Sequence, residues 1–153
     1  MTEVERIVDQ MDRAFSGNAW HGPPLMALLE GISAENASKH VIQDAHSIWE
    51  LVHHIGAWNM IVKRRLEGEK LEITPELDWP PVWEVSEPAW KRALENLVES
   101  RARLRALVSN IDDTQLETPA PGGTERRYVV LHGIVQHDLY HAGQIAILKK
   151  ALR

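Results

Sequence analysis

Two histidines with helical spacing near the C-terminus are the clearest sign of chemistry in this sequence. His137 and His141 lie four residues apart, so both rings project from nearly the same face of an α-helix. Two imidazoles in this arrangement can bind one metal ion, as in other His-x-x-x-His sites. Both also fall on the apolar stripe of the predicted helix, where burial of an imidazole without a partner costs free energy. The alternative is a pair of core histidines bonded to backbone or water, and a third imidazole would decide between the two.

His54 is the best candidate for that third imidazole. It lies on the apolar stripe of an earlier predicted helix, between Leu51 and Trp58, and is expected to face inward. The neighbouring His53 lies about 100° away around the helix and is expected at the surface or an edge. Three neutral imidazoles without a thiolate suit Zn, Ni, Fe or Cu rather than Mg or Ca. Three protein ligands leave a coordination position open, which is typical of catalytic sites, where a metal lowers the pKa of bound water or thiol.

The remaining histidines carry weaker signals. His132 lies five residues before His137 and is expected at the bundle surface. His46 just precedes a predicted helix and is a weak candidate for a neighbour of the site. His21 and His40 are expected in loops.

Two polar side chains close to the candidate ligands have both a functional and a structural interpretation. Glu50 lies one turn before His54, so it can hydrogen-bond the free ring N–H of that histidine. It can equally form a capping box with Ser47 at the start of the helix. Gln144 lies seven residues after His137, almost on the same face, and can line the site or bond across helices.

Other candidates are an arginine and several aromatic residues. Arg101 interrupts an apolar stripe, so it can bind a substrate carboxylate, or it can extend to the rim while Val98 fills the core. Tyr140 can present its hydroxyl to a substrate, cover the metal, or simply pack within the bundle. Trp58 and the tryptophans of the segment 79–83 are expected to wall an aromatic pocket.

Four long amphipathic segments must position these residues. Their apolar periodicity predicts helices from about Thr2 to Phe15, Ser47 to Glu67, Pro88 to Ile111 and Arg126 to Leu152. The apolar run Leu25–Leu29 predicts one or two further helical turns. Residues 69–87 form a long connection with three prolines and two tryptophans, which is stiff because proline restricts the backbone. The prediction is a single all-α domain over residues 1–153, an up-down four-helix bundle with at least one crossing loop.

Composition excludes several classes of function. The chain has 153 residues and a formal net charge of −5, which argues against nucleic acid as the main partner. No segment approaches the roughly 18 apolar residues of a membrane span. The absence of cysteine excludes disulfides, a thiolate nucleophile and cysteine-ligated metals. The charged N-terminal segment lacks the apolar region of a signal peptide, so the cytoplasm is the expected compartment.

Two motifs resemble the DinB/YfiT-like family of bacterial proteins. They are Ser47-Ile-Trp-Glu-Leu-Val-His-His-Ile-Gly-Ala-Trp58 and His137-Asp-Leu-Tyr-His-Ala-Gly-Gln-Ile145. The resemblance covers nearly the whole chain. It implies a four-helix bundle with three histidines around one divalent metal, zinc or nickel, and the matching positions here are His54, His137 and His141.

The same resemblance sets the functional expectations. Some relatives are S-transferases that use low-molecular-weight thiols, and homodimers are common. The first hypothesis is therefore a metal-dependent enzyme that activates such a thiol for transfer to an electrophile, with a small-molecule substrate and a homodimeric assembly. Metal-assisted hydrolysis uses the same ligands and is the alternative enzyme. The non-enzymatic alternative is a metal-binding stress-response or dimerisation protein.

Overall fold

The computed structural model describes residues 1–153, which form seven α-helices and one 3₁₀ turn with no strand. The helices are α1 (Glu3–Phe15), α2 (Leu25–Leu29), α3 (Ala34–Ser38), α4 (Ile48–Leu66), α5 (Pro75–Asp78), α6 (Glu87–Val108) and α7 (Arg127–Ala151), and the 3₁₀ turn is Asp113–Gln115. The predicted all-α class is confirmed. None of these helices has both the length and the apolar character that crossing a membrane requires.

Side-chain caps explain where the long helices begin. Ser47 accepts a hydrogen bond from the Glu50 amide, and the Glu50 carboxylate accepts one from the Ser47 amide, which completes the predicted capping box of α4. Thr2 and Glu5 form the same arrangement at α1. Ser86 caps α6, whose first turn contains a proline. The predicted boundaries of the four long helices agree with the structure to within three residues.

The four long helices pack so that α4 and α1 each contact both α6 and α7. The Trp49 and Trp90 rings lie 5.1 Å apart, and Asn59 donates a hydrogen bond to Ser100 further along the same pair of helices. Residue numbers therefore increase together along α4 and α6, which run parallel. The connection between these two helices is the predicted crossing loop, because it must return the chain to the end of the bundle where α4 began.

The core consists of two apolar clusters separated by a polar layer. One cluster surrounds Trp49 and Trp90, and the other surrounds Met11 and Leu104. Between them, along α4, α6 and α7, lie the buried polar side chains, which we call the polar layer: His54, Asn59, Ser100, Arg101, Asp138 and His141. Buried polar groups need partners, so this layer is where the bundle carries chemistry or specific pairing.

Two short helices lie in segments where the residue pattern predicts no helix. Helix α3 lies in the polar segment after α2, and α5 lies inside the long connection, each capped by a hydroxyl side chain. Segments of four or five residues contain too few turns to establish a periodic pattern. The turn before α7 is held against the end of α4, where the Gly122 amide donates to the Arg65 carbonyl at 2.9 Å. A Cβ at Gly122 would lie 2.1 Å from the Glu69 carbonyl oxygen, so only glycine fits there.

Candidate metal centre

The structure brings the three predicted histidines together in what we call the histidine cluster: His54 from α4 and His137 and His141 from α7. The Nε2 atom of His137 lies 3.0 Å from that of His54 and 3.1 Å from that of His141. The candidate ligand atoms of all three residues lie within 4.8 Å of one another. His54 and His141 are each only 5% exposed. The cluster is therefore a set of converging imidazoles, two of them buried and the third, His137, partly buried.

The outer ring nitrogens of two histidines are held by oxygen atoms. His54 Nδ1 donates to the backbone carbonyl of Asp78 at 2.7 Å, and His141 Nδ1 donates to Gln144 Oε1 at 2.5 Å. Because carbonyl oxygens only accept hydrogen bonds, each of these rings carries its proton at Nδ1. Both Nε2 lone pairs consequently face the centre of the cluster. Such outer partners are the usual means of orienting histidine ligands on a metal.

Hydrogen bonding within the protein cannot satisfy this arrangement. A neutral His137 has one ring proton, which at Nε2 can serve the lone pair of His54 or of His141 but not both. At least one buried lone pair then lacks a donor, which is unfavourable. A cation among the three nitrogens would accept all three lone pairs. The ring proton of His137 would then lie at Nδ1, which is a buried atom without a protein partner.

The donor set and spacing fit a transition metal. Three imidazoles are ligands typical of zinc, nickel, copper or iron. Zinc–imidazole bonds of about 2.1 Å place two ligands of a tetrahedral ion roughly 3.4 Å apart, close to the 3.0 and 3.1 Å found here. The cluster can therefore bind a metal ion.

Electrostatics keep the cluster in the form that binds metals. The pKa of His137 is lowered to about 3, mainly by burial and also by the neighbouring His141 and His54. Burial also lowers the pKa of His54, against the opposing effect of Asp78, and that of His141, against the opposing effect of Gln144. All three rings are neutral at pH 7, and neutral imidazole is the ligand form.

The long connection covers one side of the cluster. The Trp79 ring stacks on His54 at a centroid distance of 3.8 Å and on His46 at 3.5 Å with its other face. The predicted aromatic wall is thus correct for Trp79. It is also correct for Trp58, whose ring centroid lies 6.3 Å from that of His54. Trp83 is 90% exposed and does not contribute to this aromatic wall.

Asp78, which the sequence analysis did not identify, is the acidic neighbour of the site. Its carboxylate accepts a hydrogen bond from Trp58 Nε1 at 2.7 Å and lies 3.3 Å from His54 Nδ1. Glu50 was one candidate for this role, but its carboxylate caps α4 and bonds His40 at 2.9 Å. No local spacing relates Asp78 to His54, because the two are brought together by the long connection.

The predicted roles of Arg101 are wrong. Arg101 is 3% exposed and forms an ion pair with the fully buried Asp138. It neither extends to the rim nor faces a substrate cavity, and Val98 is 46% exposed instead of filling the core. Arg101 is buried because Asp138 supplies its countercharge. Asp138 lies beside His137 in the sequence, but its side chain faces α6. Burial raises the pKa of Asp138 to about 6, although Arg101 opposes the shift.

Of the other predicted residues, some contact the histidine cluster and others lie outside it. Gln144 orients His141, as described above. Tyr140 is 67% exposed, and its ring centroid lies 5.0 Å from that of His141 in an edge-on arrangement, so it does not pack inside the bundle or close over the cluster. His46 contacts the site only through Trp79, and His132 lies partly exposed, 3.6 Å from Glu3.

His53 has a structural role that the sequence analysis did not predict. It accepts a hydrogen bond from Trp49 Nε1 at 3.0 Å, and its Nδ1 donates to the Pro80 carbonyl at 3.1 Å. Both ring nitrogens are therefore occupied, and His53 ties the long connection to α4. Of the two adjacent histidines, His54 is the one that joins the cluster.

Comparison with known families agrees with this site. The sequence profile of the DinB superfamily matches residues 20–145, a range that includes all three histidines of the cluster. A search of curated proteins finds none that matches. The match covers most of the chain and both motifs noted in the sequence, so the protein is a member of the DinB superfamily.

Proposed function

We propose that the protein binds one divalent transition metal, zinc or nickel, through His54, His137 and His141, and that it is a metal-dependent enzyme. The observation that carries the proposal is the convergence of three Nε2 atoms. Two of their lone pairs are directed inward by the bonds from Nδ1 to Asp78 and Gln144.

The preferred reaction is transfer of a low-molecular-weight thiol to an electrophile. A bound divalent metal supplies Lewis-acid chemistry, which lowers the pKa of a thiol so that the thiolate is present at neutral pH. The histidines hold three positions and leave room for one small ligand. Trp79 excludes water from the His54 side. A cavity between α4 and α7 is lined by His137 and offers a small molecule access.

Metal content is the first test. Elemental mass spectrometry of the untagged protein should find about one zinc or nickel ion per chain, as expected for a single three-histidine centre. His54→Ala and His137→Ala should each lose the metal. His132→Ala is the matched control, because that histidine also lies on α7 but outside the cluster. A metal content that is unaffected by the first two substitutions would contradict the proposed ligands.

Thiol transfer is tested with glutathione and 1-chloro-2,4-dinitrobenzene. The sulfur forms a bond to the ring carbon, chloride leaves with the bonding pair, and the thiol proton passes to the buffer. Turnover should require the metal and disappear in His141→Ala, while His132→Ala retains it. Metal-dependent hydrolysis of a test ester without thiol turnover would support the alternative hydrolase. Full metal occupancy with neither activity would support a non-catalytic metal-binding role.

We also propose that the protein is a homodimer that associates through α7. The exposed side chains Val129, Tyr140 and Ile147 lie on one face of this helix at helical spacing, and the last two are 67% and 61% exposed. Sedimentation velocity should show a dimer, and Tyr140→Glu combined with Ile147→Glu should give a monomer. A wild-type protein that is monomeric at all concentrations tested would refute this proposal.

A further inference from the structure

A cavity of about 260 Å³ lies between α4 and α7 and reaches the histidine cluster. Its apolar walls include Trp58, Val62 and Ile134, and His137 of the histidine cluster also lines it. Arg65 lines the same cavity and is the only positively charged side chain that does so. This size suits a small ligand rather than a peptide.

Arg65 differs from the other basic residues at the end of α4. Lys63 pairs with Glu67 at 2.6 Å, and Arg64 pairs with Glu69. Arg65 forms no ion pair, the residue is partly buried, and its guanidinium lies over the Trp58 ring. A guanidinium without a carboxylate partner can bind a carboxylate through two parallel hydrogen bonds.

Trp58 connects this arginine with the histidine cluster. Its ring centroid lies 5.9 Å from the His137 ring centroid and 5.9 Å from Arg65 Cζ. The hydrogen bond from its Nε1 to Asp78 fixes the position of the indole. A flat apolar molecule packed against Trp58 in this cavity can therefore contact both His137 and the guanidinium.

Two further residues limit which ligand fits. A Cβ built on Gly133 meets no atom within 4 Å, so the absence of a side chain there leaves the cavity open. Glu125 also lines the cavity, exposed and not paired with Arg65. Its negative charge opposes any anionic group that is not paired directly with Arg65. Because one guanidinium can pair with one carboxylate, the cavity fits a ligand with a single negative charge better than one with two.

We infer that this cavity binds a small monocarboxylate with a flat apolar body, with the carboxylate at Arg65 and the opposite end at the histidine cluster. The inference rests on the proposed function in one respect, because the end at the cluster is taken to be the reacting end. The substrate class is then an aromatic or similarly flat carboxylic acid, as the thiol or as its electrophilic acceptor.

The test uses 2-naphthoate as the probe and the protein as purified, with its metal content measured in the same sample. Isothermal titration should show binding, and the uncharged amide 2-naphthamide should bind about tenfold more weakly, as should 2-naphthoate to Arg65→Gln. Arg64→Gln is the matched control: it makes the same change in charge one residue away and should leave the affinity unchanged. Equal affinity for acid and amide, or equal effects of the two substitutions, would overturn the inference.

A second pair of variants tests the location independently of charge. Gly133→Leu should fill the cavity and abolish binding. Gly143→Leu places the same side chain on the same helix, also in open space but outside the cavity, and should bind normally. Normal binding to Gly133→Leu would overturn the location.

The outcomes separate this inference from the proposed function. Binding that is lost in His141→Ala but not in Arg65→Gln would place the carboxylate on the metal, overturning the inference and leaving the proposed metal site intact. Binding that depends on Arg65 in a protein without metal would support the cavity and refute the metal-dependent function.

Discussion

Two groups of polar side chains meet in and beside the polar layer of the bundle, and they differ in how their charges and lone pairs are balanced. Arg101 and Asp138 have opposite charges and neutralise each other within the core. The histidine cluster directs three nitrogens of the same kind toward one point, where they cannot all be satisfied by one another. The two groups adjoin on α7, since Asp138 follows His137 directly.

This difference separates a structural polar group from a candidate functional one. A buried pair of opposite charges neutralises itself without a charge from outside the protein, although Arg101 Nε, Arg101 Nη1 and Asp138 Oδ1 lack hydrogen-bond partners. Neither member of the pair lines the cavity that His137 lines. A cluster of like acceptors requires an additional partner, and His137 lines a cavity through which one can enter. Burial and a shifted pKa occur in both groups, so neither property alone identifies the site.

The largest effect on stability is expected from breaking the ion pair. Asp138→Ala leaves the Arg101 charge buried without its partner and should lower the free energy of unfolding by about 3–5 kcal/mol. Urea denaturation measures this change. Replacing both residues, as in Arg101→Met with Asp138→Leu, should restore most of the stability, because the uncompensated charge is removed as well. A double variant as unstable as Asp138→Ala would show that the pair has a role beyond mutual neutralisation.

In the histidine cluster, removal of an orienting residue should affect metal affinity and leave stability almost unchanged. Gln144→Leu removes the acceptor of the His141 Nδ1 proton and should weaken metal binding by about 10–100-fold, with little change in the unfolding free energy of the metal-free protein. Competition with a chromogenic chelator measures the affinity. Gln136→Leu makes the same substitution at an exposed position of α7 and should leave the affinity unchanged. Equal affinities for both variants would contradict the orienting role.

The two groups should also have opposite dependence of stability on pH in the metal-free protein. The folded-state pKa values of the three histidines are lowered, so their contribution is complete above about pH 6.5 and is lost as the pH falls below it. The folded-state pKa of Asp138 is raised to about 6, so its contribution is present at low pH and is lost as the pH rises through that value.

Urea denaturation between pH 4 and pH 8 tests these signs. The histidines should dominate, because three groups are involved, and the wild-type protein should lose stability toward pH 4. His137→Ala should make this loss shallower, and the Arg101→Met, Asp138→Leu double variant should make it steeper. A wild-type stability that rises toward pH 4 would contradict the assignment of neutral, buried histidines.

The smallest effect is expected at Tyr140. Because its side chain is mostly exposed and contacts the cluster only through the edge of His141, Tyr140→Phe should leave metal affinity unchanged and shift stability by less than about 0.5 kcal/mol. A large loss of thiol-transfer activity in this variant with normal metal content would show instead that the hydroxyl acts on the substrate.

Much of the scaffold could be predicted from the residues alone. The capping box at Ser47 and the apolar stripes placed the long helices, because both signals depend on neighbours within one or two turns. The same periodicity placed His54 on an inward face and favoured it over His53. The two short helices α3 and α5 were missed because they are too brief to show a period.

By itself, the sequence determined the four long helices and the positions of three inward-facing histidines on two of them. Only the tertiary structure decided what surrounds those histidines: the Asp78 carbonyl on His54, the Trp79 ring over the cluster, and the pairing of Arg101 with Asp138. The physical reason is range. Helix periodicity is a local property that repeats every 3.6 residues, whereas these contacts join residues about 25 to 40 positions apart. The contacts of Asp78 and Trp79 depend on how the connection between α4 and α6 folds back onto the bundle, and the ion pair depends on where α6 and α7 lie relative to each other.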